Sequence, residues 1–139
     1  MTIDDETAGD RRLLVALLRL GAFVTGSGFL AVLLPVEWMA TAHRWLGLGE
    51  LPRVAIVDYL TRSNAALYGC HGVLLWIVSR DPVRYHGIVR YIGWMNIGFG
   101  LAILGIDIHA GLPAFWTIAE GPAVVVLGAA VLYLSRSRR

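Results

Sequence analysis

Asp58 and Arg62 stand four residues apart in the stretch "VDYLTRSNAALYGCH", and on a helix that spacing puts a carboxylate and a guanidinium on one face, close enough to pair. The same stretch adds Asn64, Tyr68 and His71. Elsewhere, inside runs that are otherwise apolar, lie Asn96, Glu120 with Trp116 and Thr117 one turn before it, and two further arginines, Arg19 and Arg90. Arginine's planar fork of N–H groups suits a carboxylate or a phosphate. Glu120 has no basic residue three or four positions away, so on a helix its partner must come from another element, and Arg62 is the expected one. The chemistry within reach is anion binding at Arg62 and proton exchange at Glu120 as its pairing changes.

What surrounds these groups makes them costly. The 139 residues are 57% hydrophobic and only 16% charged, with a mean hydropathy of +0.64. A soluble domain has an apolar share nearer ~45–50%, so the composition calls for a bilayer. A charged side chain at the bilayer centre costs on the order of 2.5–3.5 kcal/mol on insertion scales, and it should therefore face inward and be paired.

Four segments, about 12–34, 54–78, 83–106 and 112–134, are long enough for a hydrocarbon core ~30 Å thick, which needs ~20 helical residues. "SRDPVR" and "DIHAGLP" separate the last three, each with a proline that ends or starts a helix. In "PVEWMATAHRWLGLGELP", Trp38, Ala42 and Trp45 share one helical face and Glu37, Thr41 and Arg44 the other, which predicts a short interfacial helix over about 36–47. The expected fold is all-α: a polytopic four-transmembrane-helix bundle forming a single integral membrane domain, 1–139. Residues 1–10 are acidic, unlike the positive start of a secretory signal, and are expected to be mobile. Arg11, Arg12, Arg80, Arg84 and the closing "SRSRR" fall on one side of the predicted spans, so both termini should face the cytoplasm. A bacterial inner membrane is the expected location.

Helical rise gives a depth to each polar group. Counted from Leu51, Arg62 lies ~16 Å in; Asn96 lies ~16 Å from Asp107; Glu120 lies ~14 Å from Gly111; and Thr25 and Ser27 lie ~12–15 Å from Pro35. This predicts one polar layer holding Asp58, Arg62, Asn64, Asn96 and Glu120, with Tyr68 below and Trp116 and Thr117 above. Two readings stay open. The layer either forms a ligand, ion or proton site, or only joins helices, as polar and small residues do in membranes. The helical faces Asp58, Arg62, Ala65, Gly69, Gly72 and Gly93, Asn96, Gly100, Asp107 favour close packing. Pro122 leaves the Ile118 carbonyl without its helical donor, which predicts a break beside Glu120.

A second tier, Arg19, His71 and Arg90, carries no acid and invites an anionic lipid headgroup, unless both arginines snorkel to the surface. His71 with His86 offers a pair for haem, although the four histidines do not gather for zinc. Neither a cofactor nor a metal is expected. The single cysteine, Cys70, excludes an internal disulfide and any CxxC motif.

The chain's length and helix number resemble those of the small membrane enzymes that conjugate glutathione to lipid mediators. Their Glu-Arg-x-x-x-Ala-x-x-Asn-x-x-Glu pattern is nevertheless absent: "DYLTRSNAALYG" spaces its acid, Arg62 and Asn64 differently and lacks the following glutamate. Phosphate-binding glycine loops, Gly-x-Ser-x-Gly and HExxH are also missing. No catalytic residues are expected, and the net charge of +2 does not call for nucleic acid. The leading expectation is binding or transport of a small polar or anionic ligand or ion, with homo-oligomerisation. The alternatives are a lipid-binding or lipid-modifying protein, and an accessory subunit.

Overall fold

The computed structural model describes the backbone of residues 3–136 and the side chains of residues 8–136. The described chain is helical throughout: α1 Ile3–Gly26, α2 Gly28–Leu33, α3 Val36–Trp45, α4 Ala55–Arg80, α5 His86–Ala110 and α6 Ala114–Arg136. No strand occurs among the described residues. Three stretches are long and apolar enough to cross a membrane: Ala8–Leu33, which takes in α1 from Ala8 on and α2, then His86–Ala110 and Ala114–Arg136. They mark an integral membrane protein. α4 has the length, at 26 residues, but Asp58, Arg62 and Arg80 and its small polar side chains keep it outside that group.

Residues 3–10 of the acidic stretch form the start of α1, while Met1 and Thr2 lie outside the described residues. Ser137, Arg138 and Arg139 of the closing basic run also lie outside them. The segment expected over about 36–47 forms a helix two residues shorter, Val36–Trp45. Past Trp45, Gly47 and Gly49 take φ of 72° and 86°, a left-handed backbone that ends it.

The chain divides into two compact units, one made of the residues up to Arg19 with Ile77 onward, the other of Leu20–Trp76. In the first unit, α5 and α6 are joined by a tight turn in which Gly111, at φ 68°, caps α5, and Leu112 N–H donates to Asp107 O at 3.1 Å. The two helices pack antiparallel and come close at four glycines, with Ile97, Leu104, Val125 and Leu132 packed beside them. A Cβ on Gly100 would lie 2.7 Å from Gly121 O, and one on Gly128 would lie 2.6 Å from Gly93 O. The register that pairs Gly93 with Gly128 and Gly100 with Gly121 also places His86 beside Ser135, whose carbonyl lies 3.2 Å from the His86 Nε2. Extended the other way, it sets Asp107 opposite Ala114. Small or polar residues thus recur every seven positions on both helices, the period that keeps one seam facing a partner.

α6 runs unbroken through Pro122, so the break expected beside Glu120 is absent. Proline restricts the residue before it partly through that residue's Cβ, and here Gly121 has none.

In the second unit, α4 packs antiparallel on the end of α1 and on α2. A Cβ on Gly28 would meet Ala65 O at 2.5 Å, Gly69 lies against the Phe29 ring, and Gly72 lies against the Gly26 backbone. The face Arg62, Ala65, Gly69, Gly72 is therefore a packing face, as its spacing indicates.

Candidate functional site

The polar group that stands out in the second unit begins with a helix end. α2 stops because Pro35 follows: Leu34 is pushed to an extended conformation, with φ −66° and ψ 138°, and Pro35 has no N–H to give. The last carbonyls of a helix have no partner within it. Arg62 supplies one. Its guanidinium donates to Val32 O through Nη1 and to Leu34 O at 3.2 Å through Nη2, while Nε donates to Asp58 Oδ1 at 2.9 Å. The cation also sits at the negative end of a short helix, a favourable place for it. The Asp58–Arg62 side chains are 43% and 31% exposed, so the ion pair is partly wet and its main effect is to orient the guanidinium.

This assembly forms one wall of an open cleft of about 330 Å³. Val36 and Met39 of α3 line it, with Leu51, Pro52, Arg53 and Val54 of the following loop and Ala55, Val57, Asp58, Thr61 and Arg62 of α4. The lining is mostly apolar, with two guanidinium groups against one carboxylate. That is the composition of a ligand cleft with a few convergent polar groups, at the lower end of the usual ~300–1,000 Å³.

Of the eight residues expected to share a polar layer, Asp58 and Arg62 are brought together here. Asn64 and Tyr68 share α4 but not this face. Asn64 lies two residues past Arg62, about 200° around the helix, and is exposed. Tyr68 is 37% exposed. Asn96, Trp116, Thr117 and Glu120 belong to the other unit, on α5 and α6. Asn96 and Glu120 are half-buried, and the α5–α6 register sets them five residues apart along the seam, about 7.5 Å. Thr117 Oγ1 donates to Pro113 O at 3.4 Å and Trp116 packs edge-on against Phe115 at 6.4 Å, so both are engaged locally. Thr25 and Ser27 likewise donate to carbonyls of their own helix, Gly21 O and Val24 O, each at 2.7 Å.

The depth scale also changes at α4. The helix starts at Ala55 rather than Leu51, so Arg62 is seven residues in, about 10 Å along the axis. In the second tier, Arg19 and Arg90 are exposed and His71 is half-buried, with Arg19 and Arg90 in the first unit and His71 in the second. His86 Nε2 is taken up by the Ser135 carbonyl, which removes that nitrogen from haem ligation. No group of three metal-ligating side chains occurs among the described residues.

Sequence reasoning missed three features. Arg53 falls between the expected helices and lines the cleft. The Leu34–Pro35 pair signalled a helix end whose carbonyls need a donor. Asp107 was expected on the packing face with Gly93 and Gly100, but not its near-complete burial, 3% exposed, with an Oδ2 that has no hydrogen-bond partner. Its seven-residue distance from Gly100 was the available clue.

Compared with protein-family models, with curated proteins and with solved structures, the chain finds no match.

Proposed function

We propose that this is a four-span protein of a bacterial plasma membrane, with α4 as the fourth span and both termini cytoplasmic, which associates with its own copies and binds a small anionic ligand in the cleft beside Arg62. α4 is long enough for the role, since 26 residues rise about 39 Å. The observation that carries the reading is a guanidinium fixed in place on the wall of an apolar cleft, with Arg53 on the same lining. Three of the five N–H groups of Arg62 are used by the protein, which leaves two for a ligand. Because Asp58 and α2 already hold the fork, little side-chain entropy is lost when an anion arrives.

A second reading has its own support: the three bonds from Arg62 to Asp58 and to the end of α2 are what a purely structural arginine would make. Thermal unfolding in an uncharged detergent separates the two. A panel of organic anions, inorganic phosphate and uncharged analogues is titrated against the wild type and Arg53→Gln. Binding predicts that at least one anion stabilises the wild type, by ~2.7 kcal/mol at a hundred times its Kd, and that Arg53→Gln loses most of the effect. A panel without any stabilising anion supports the structural reading.

A further inference from the structure

We infer that the ligand of this cleft is a single-chain amphiphile with an oxyanion head, a long-chain carboxylate or alkyl phosphate, rather than a small hydrophilic anion; the inference rests on the anion-binding reading above. The lining divides by chemistry. Arg62 and Arg53 supply two cations, against which Asp58 sets one carboxylate, so the polar part of the cleft carries net positive charge and suits one anionic group. Most of the rest, Val36, Met39, Leu51, Pro52, Val54 and Val57, offers a hydrophilic anion nothing and an alkyl chain a place out of water. Met39 adds an unbranched side chain that adapts to irregular apolar shapes.

The cleft's position supports the same occupant. One side of it is α3, whose Trp38 and Trp45 are 67% and 86% exposed. Tryptophans placed so on a short helix belong at headgroup depth, where amphiphiles present their charged ends. The volume of about 330 Å³ suits a head with the first part of one chain, whereas a two-chain lipid exceeds it. Thr61, one helical position before Arg62, adds a hydroxyl to the same lining.

Each methylene buried from water raises affinity by about fourfold, so even two or three in the cleft raise it more than tenfold. Acetate, decanoate, decyl phosphate and decanol are titrated at matched free concentrations into the purified full chain in an uncharged detergent, with the midpoint of thermal unfolding as the readout. The expected result is that decanoate, decyl phosphate or both bind at least tenfold more tightly than acetate, and that decanol has no saturable effect. Which of the two binds more tightly identifies the head as carboxylate or phosphate. Arg53→Gln, on an exposed loop, should weaken the best ligand about tenfold, and it avoids the folding role of Arg62. Acetate binding as well as decanoate overturns the amphiphile and leaves the anion site standing. Decanol matching decanoate, or no ligand shifting the midpoint, overturns both.

Discussion

Replacing Gly100 by alanine tests the α5–α6 seam with the least chemical change. The new Cβ would stand 2.7 Å from Gly121 O, 2.8 Å from Val125 Cγ2 and 2.9 Å from Val125 N. Two of these are backbone atoms of α6 and have no rotamer to move into. Carbon contacts are favourable from about 3.5 Å, so the helices must part by roughly 0.6–0.8 Å at this point. Overpacking of this kind costs ~1–3 kcal/mol, offset by the ~0.5–1 kcal/mol that alanine gains over glycine in a helix. A net loss of about 1–2 kcal/mol is expected. Gly98 is the internal control, because nothing lies within 4 Å of the Cβ it would acquire. Gly98→Ala keeps only the favourable helix term. Both variants are unfolded in mixed micelles of a maltoside and dodecyl sulfate and followed by far-ultraviolet circular dichroism. If Gly100→Ala proves as stable as Gly98→Ala, the two backbones do not meet at Gly100 and Gly121, and the seam is wrong.

Three further outcomes follow from the same structure. Asp107→Ala should stabilise the protein by ~1–3 kcal/mol, less the lost packing of a carboxyl group, because it removes a buried oxygen without a partner; clear destabilisation in the same assay would mean that Asp107 has a partner after all. Arg62→Leu should destabilise by ~1–3 kcal/mol through the orphaned carbonyls at the end of α2, and Asp58→Asn by less than ~1 kcal/mol, since its ion pair is partly exposed; equal losses would contradict the capping role. For topology, cysteines placed at Glu50 and at Arg84 in a Cys70→Ser background should label from opposite sides of the membrane, and labelling of both from one side removes α4 as a span.

Three of the four expected spans were legible in the sequence because span length follows from bilayer thickness, and the helices fall within a few residues of the expected limits after the first. The packing face of α4 was legible too, because its glycines recur at helical spacing. Of the polar layer, only the Asp58–Arg62 pair is seen brought together. Depth counted from a chosen residue carries over any error in where the helix begins, and α4 begins four residues later than the count assumed. Depth also says nothing about direction around the axis, which is why Asn64 and Arg62 could look like neighbours while facing opposite ways. The partners of Arg62 were invisible for another reason: they are main-chain carbonyls freed by Pro35, and a search for side chains of opposite charge passes over them.

The site itself is tested most directly by locating a heavy-atom ligand. A crystal of the full chain soaked with a long-chain carboxylate brominated a few carbons from its head should show its carboxylate between Arg53 and Arg62, with one anomalous bromine peak among Val36, Met39 and Val57. Bromine found only elsewhere, with the Arg62 fork still bonded to Asp58 and α2 and nothing beside it, would contradict the account and leave Arg62 as a helix cap.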